Sequence, residues 1–442
     1  MTEPPANLSG GNPIDYAPMG AAQILVLVLA LLLAALDGYD ALSMAFVAPV
    51  LALEWGIGKS VTGLLLSSSL VGMAIGAIAL SPLADRFGRR SVVLGALGIM
   101  TLGTLLSALA GSAPVLAAAR LLTGTGIGVM VAMTTLLSAE FSNAKRRPLA
   151  VAAVATLGFP LGGVIGGLGA SAILKAATWH WVFLGGSIAG VVLFALVLLT
   201  LPESPTFLIA KRAHGALERA NLVLSRLGHS AMSELPVAAD RQHIRYSALF
   251  EPGLRPIVVR LTATSILVAS ASFFVLNWMP QMVVDAGFTP AQGSMVSAKS
   301  GMIGFLGGVI FATFASRFPP TKVAATALIG ATLALAAIGL VPPVLNLLIL
   351  TSGIMGFCLA GTTGMIYTIL ATAFPPALRA SGMGFVMGVM RIASAAAPAL
   401  AGVMFAHGMT RAGVSLIFAV GPLVAAVLIA GLPNRSEYSK PR

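Results

Sequence analysis

Residues 22–53 read "AQILVLVLALLLAALDGYDALSMAFVAPVLAL", and the only charges among them are Asp37 and Asp40. About 20 helical residues, at 1.5 Å of rise each, cross a hydrocarbon core of about 30 Å. The stretch is therefore long enough to span a membrane as a helix. It also holds two carboxylates where water is scarce, so it raises the question of function as well as of fold.

Eleven further apolar runs follow, at 61–83, 91–110, 114–140, 150–173, 179–201, 257–283, 293–316, 322–342, 344–371, 380–406 and 411–432. They lack the alternation of outer-membrane barrel strands and are about twice too long for them, so each is expected to be an α-helix. Composition agrees: 57% of the 442 residues are hydrophobic and 9% charged, against roughly 25% charged in a soluble domain. The expected fold class is an all-α membrane protein with twelve transmembrane helices in two six-helix, pseudo-symmetric halves.

The net charge of +12 raises the possibility of a nucleic-acid partner, and the placement of the 26 Lys and Arg residues argues against one. With alternate loops assigned to opposite sides, 19 fall on one side. Only Lys59, Lys175 and Arg411 fall on the other, and Arg120, Arg260, Lys299 and Arg391 lie within or at the edge of spans. This asymmetry is the positive-inside pattern and puts both termini in the cytoplasm. Residues 1–20 contain no Lys or Arg, unlike a secretory signal, so the first span is expected to be retained. The single cysteine, Cys358, excludes an intramolecular disulfide.

Residues 202–256 form the longest polar stretch and divide the chain into halves, 1–201 and 257–442, with "ERANLVLSRLG" in the central loop suited to a short surface helix. The halves echo each other. "DRFGRR" at 85–90 corresponds to "SRFPPT" at 316–321, and "LPES" at 201 to "LPNR" at 432. "AEFSNAKR" ending at Arg146 corresponds to "TAFPPALR" ending at Arg379. Ordered anchors of this kind indicate an internal duplication, common in secondary transporters that bind between their repeats.

"SPLADRFGRR" (81–90) resembles the loop 2–3 signature of the major facilitator superfamily, G-x-x-x-D-R-x-G-R-R, with Ser81 replacing the first glycine. "RLLTGTGIG" (120–128) resembles its helix-4 motif, and "PESPTFL" (202–208) its sugar and organic-acid branches. "LDGYD" in span 1, "EWG" at 54–56, "WMP" at 278–280 and Arg391 in span 11 are similar to the aromatic acid:proton symporters. Met390 and Ala393 stand where that family usually has glycines beside the arginine.

An Asp at the centre of a membrane helix costs about 2.5–3.5 kcal/mol on insertion scales, so a pair is a functional-site hypothesis. Three residues apart, Asp37 and Asp40 are expected on one helix face. Like charge and partial desolvation then disfavour the second ionisation, so at least one carboxyl is expected to hold a proton near neutral pH. Gly38 between them permits a kink or a close helix contact. Tyr39 is a candidate for the substrate site or for packing.

Arg391 must meet an anion, either a helix-1 aspartate or a substrate carboxylate held bidentately. In the expected cycle, protonation of Asp37 or Asp40 frees Arg391 for the incoming carboxylate; a permanent ion pair joining the halves is the alternative. The resemblance implies the same roles for these residues, and a role in proton passage for Arg120. Lys299 either snorkels to the outer surface or adds a second cation suited to a dicarboxylate. Phe273, Phe274, Asn277 and Tyr367 are further candidates for a ring-binding cavity. Trp179, Trp181 and Trp278 are expected in the interfacial belt.

Asp85, Arg86, Arg89, Arg90, Glu140 and Arg146 are expected to form a conformational latch, lopsided because Ser316 replaces the acid in the second half. "GFPLGGVIGG" (158–167) offers small residues for close packing. The five histidines, His180, His214, His229, His243 and His407, are dispersed, so no enzyme chemistry, metal or cofactor is expected.

The sequence thus leads to a proton-coupled importer of a small aromatic carboxylate, benzoate-like, hydroxybenzoate-like or phenoxyacetate-like, acting as a monomer in a bacterial inner membrane. Its partners are a small organic anion, protons and lipid. A symporter of a non-aromatic acid such as muconate, or a proton-driven exporter of hydrophobic compounds, is the alternative.

Overall fold

The computed structural model describes residues 13–212, 215–236, 246–314, 317–375 and 378–432. No strand occurs among them. Twelve helices among them are long and apolar enough to cross a membrane: α1 Ala21–Glu54, α2 Lys59–Leu80, α3 Arg89–Ala108, α4 Ala113–Glu140, α5 Arg147–Ala176, α6 His180–Thr200, α7 Arg255–Asp285, α8 Pro290–Phe314, α9 Pro320–Leu340, α10 Leu345–Ala373, α11 Arg379–Ala406 and α12 Arg411–Ala430. Every expected span is present. Helices satisfy their own backbone hydrogen bonds, which a hydrocarbon solvent requires. The exterior is correspondingly apolar, with Leu53, Leu149 and Leu199 all more than 70% exposed.

The helix pairing repeats. Contacts α1–α5, α2–α4, α3–α4, α3–α6 and α1–α6 in the first half recur as α7–α11, α8–α10, α9–α10, α9–α12 and α7–α12 in the second, each number advanced by six. Across the halves α2 meets α11, α5 meets α8 and α1 meets α7, as a two-fold relation demands. Of the anchors that suggested duplication, Ser316, residues 376–377 and residues beyond 432 lie outside the described residues.

Small residues bring these helices together, since side-chain packing rather than hydrophobic exclusion drives association in lipid. A β-carbon on Gly38 would run into the carbonyl oxygen of Phe159, and one on Gly162 into that of Ala35. Gly38 and "GFPLGGVIGG" therefore serve one purpose, a backbone-to-backbone crossing of α1 and α5.

Twelve spans return the chain to the end from which it starts, the basic end. There Asp15 pairs with Arg147, and His229 Nε2 lies 3.0 Å from Gln23 Oε1. Gln23 also donates to the Phe141 carbonyl at 2.9 Å. The surface helix Ala216–Arg226 packs through Ala220, Val223 and Leu224.

At the opposite end two of the three expected belt tryptophans are buried instead. Trp179 donates to Glu54 Oε2 at 2.9 Å and Trp278 to the Pro398 carbonyl at 3.0 Å. Their indole N–H groups have protein partners, so water is not needed to satisfy them. Trp181 is 54% exposed.

Candidate functional site

A cavity of about 480 Å³ lies between the halves, lined by α1, α2, α4 and α5 of the first and α7, α8, α10 and α11 of the second. Its size suits a small ligand, since such pockets run from about 300 to 1,000 Å³. Among the described residues, Asp37 and Arg391 are the only charged ones in its wall. The rest of the wall is chiefly apolar, with Phe46, Phe159, Phe273, Phe305 and Tyr367 supplying rings and Met73, Met279, Met355, Met387 and Met390 supplying thioethers.

Asp37 is 1% exposed, and neither carboxylate oxygen has a hydrogen-bond partner among the described residues. No ion pair joins it to Arg391 among the described residues. The two residues of opposite charge line one cavity without an ion pair between them, which leaves Arg391 able to receive an anion.

Asp40 does not line the cavity, contrary to its expected place in the substrate site. Three residues turn the helix by 300°, which leaves a side-chain offset of about 60°. That is enough to put Asp37 on the cavity and Asp40 inside the first half. Arg120 donates to the Asp40 backbone carbonyl, while its Nε and Nη1 remain without partners. Its guanidinium carbon lies 5.4 Å from the centre of the Phe183 ring, and the residue is fully buried.

Four other expectations need correction. Tyr39 is turned into the first half, where its hydroxyl donates to the Val182 carbonyl at 2.5 Å. Asn277 is buried outside the cavity wall, its amide donating to the Phe273 carbonyl at 2.8 Å. Lys299 is exposed on the outside of α8 and contributes no second cation. Phe274 is also outside, stacked on Phe418 with centroids 4.3 Å apart. Phe273 and Tyr367 do line the cavity.

At the basic end Arg89 is buried and donates to Glu140 at 3.0–3.2 Å and to Asp85 at 3.2 Å. Arg90 donates to the Leu198 carbonyl at 2.7 Å, and Arg86 is exposed. Arg146 stays out of the cluster, exposed to solvent, whereas its neighbour Arg147 turns inward to Asp15 and the Ala139 carbonyl. Glu203 was missed by sequence reasoning. It accepts the backbone N–H groups of Arg89 and Arg90 at 2.7 and 3.3 Å, capping α3. Its place is open because Gly88, at φ 96°, has no side chain to fill it. None of these bonds reaches the second half; Glu203 ties the start of the central loop to α3.

The methionine wall was also missed. Its one sequence signal is Met387, a turn before Arg391 and so on the same face of α11. No group of three or more metal-ligating side chains occurs among the described residues.

Comparison with known proteins fits this geometry. The profile of the Major Facilitator Superfamily matches residues 27–344 and 261–442. The gallate transporter of Pseudomonas putida is 28% identical over 98% of this chain and 97% of its own. The 4-hydroxybenzoate transporter PcaK of Pseudomonas aeruginosa is 26% identical over 96% of each. An inward-open structure of the xylose transporter XylE from E. coli superimposes with a TM-score of 0.73 at 19% identity, covering 92% of this chain and 95% of its own. The protein is an integral membrane transporter and not an enzyme, and the chain belongs to the major facilitator superfamily.

Proposed function

We propose that this transporter imports a small aromatic carboxylate together with protons by alternating access. The observation that carries the reading is the presence of one arginine, Arg391, and one acid, Asp37, in the lining of a cavity whose wall is otherwise chiefly apolar and includes several rings and thioethers. A benzoate-like acid has the matching parts. Its carboxylate takes the planar fork of Arg391, and its ring meets Phe159, Phe273 or Tyr367. The names of the aromatic-acid relatives support the same class.

Coupling follows from electrostatics. With Asp37 ionised, the cavity's charges cancel and an anion gains little; with Asp37 protonated, Arg391 stands alone and attracts one. Proton and carboxylate then load together. Asp40 and Arg120 lie behind Asp37 and are proposed to pass or store the proton. By the positive-inside rule the basic end is cytoplasmic, which puts both termini inside; the bacterial relatives support an inner-membrane location, and a cavity enclosed by one chain supports a monomer. The exposed Asp85 and Arg86 are what the first half presents to the second when that end closes, braced by Arg89 and Glu140.

Uptake of labelled 4-hydroxybenzoate into vesicles, with and without an imposed pH gradient, tests the reading. Accumulation that vanishes when the gradient collapses supports it. Proton-driven loss of the label would establish export instead. Muconate as the preferred substrate would establish a dicarboxylate symporter, a reading that loses its second cation now that Lys299 is on the exterior.

A further inference from the structure

The end of the molecule opposite the basic end is shut, and the residues that shut it lie outside the substrate site. Lys59 Nζ lies 2.5 and 2.6 Å from the two carboxylate oxygens of Asp285. Gln281, one turn back on α7, donates to the same carboxylate at 2.8 Å. The Lys59–Asp285 bridge is the only ion pair among the described residues that joins the two halves.

Each charge stands at the end of its own helix where the helix dipole disfavours it. Lys59 is the first residue of α2, at the positive end, and Asp285 the last of α7, at the negative end. Neither helix gains from its own charge there, whereas the contact between them does. Beneath the bridge the halves meet at backbone distance. A β-carbon on Gly63 would approach Pro398 O to 2.8 Å, and one on Gly402 would lie 2.9 Å from Gly63 Cα.

Opposing this closure are polar atoms buried without partners among the described residues. Asn277 Oδ1 and Gln281 Oε1 lie one turn apart on α7, and Ser67 Oγ lies on α2 one turn below Gly63. None lines the cavity. A buried acceptor without a partner is disfavoured and gains when water reaches it. Opening this end would hydrate all three.

We propose that Lys59 and Asp285, positioned by Gln281, form the latch of the outer gate, and that Ser67, Asn277 and Gln281 line the route it seals. The bridge favours the closed state and the unpaired acceptors favour the open one. This is the balance that a two-state element needs. The proposal requires that the outer end opens at all, but not that the cargo is an aromatic acid.

The test uses the full chain with Cys358→Ala and a single reporter, Ser67→Cys, about 12 Å below Lys59 along α2. A membrane-impermeant maleimide is applied to the outer face of intact cells. Labelling should be slow with the bridge intact, rise several-fold in Lys59→Ala and in Asp285→Asn, and return toward the slow rate in the exchanged pair Lys59→Asp with Asp285→Lys. A reporter on the cavity side, Thr363→Cys, labelled in inverted vesicles, should change in the opposite sense, which separates gate opening from unfolding. Unchanged Ser67→Cys labelling in both single variants would overturn the latch. So would an exchanged pair that labels as fast as the single variants while the protein remains folded by size exclusion.

Discussion

Asp37 lines the central cavity and Asp40, three residues on, does not. Both are 1% exposed, yet one shares its space with Arg391 and the other with Arg120. The two carboxylates have different surroundings and should fail differently.

Asp37→Asn removes the charge that opposes Arg391, so substrate binding should persist while accumulation against a gradient is lost. Asp40→Asn keeps the backbone carbonyl to which Arg120 donates but removes a buried negative charge that helps to balance the fully buried guanidinium, and an uncompensated buried charge is destabilising. Its first symptom should be a lower melting temperature in detergent, measured beside counterflow and gradient-driven uptake. Equal melting temperatures and equal transport defects in the two variants would refute this division.

Arg391→Lys keeps the charge and loses the fork. Charge-assisted hydrogen bonds contribute about 1.5–3 kcal/mol each, so losing one weakens carboxylate binding roughly 10- to 100-fold. KM for the acid should rise by that factor while the melting temperature holds. An unchanged KM would remove Arg391 from the binding site.

The fold was legible in the sequence because a membrane helix announces itself over some twenty residues at once. Single-residue placements were harder. The reading that put Asp37 and Asp40 on one face was correct to within about 60°, but the cavity edge falls inside that angle. Tyr39 and Asn277 failed for a related reason: helix position says how deep a residue lies and not which neighbour it faces. Lys59 and Asp285 are 226 positions apart, and no local pattern links them. Met387 and Met390 resemble ordinary lipid-facing apolar residues until the arginine beside them is known to face a cavity.

At the basic end, Glu140→Gln should matter and Arg146→Ala should not. The Arg89 and Glu140 side chains are 9% and 7% exposed, and breaking such a buried pair costs about 3–5 kcal/mol. Arg146 makes no ion pair among the described residues. Thermal unfolding of the two variants distinguishes the braced residue from the exposed one. Equal shifts would contradict the arrangement.

His229 predicts a pH dependence at the same end. Burial beside Gln23 lowers its pKa below the ordinary 6.5, because the charged imidazolium loses hydration there. The folded form therefore binds its proton less readily than the undocked form. Docking is favoured at pH above 6.5 and weakens as pH falls from that value through the lower folded pKa. Hydrogen exchange in residues 216–229 should accordingly be slow at pH 7.5 and, after correction for intrinsic rates, faster at pH 5.5. His229→Gln keeps a donor for Gln23 but cannot titrate, so it should remove the acid-dependent part of the increase. An increase that survives in His229→Gln would place the titrating group elsewhere.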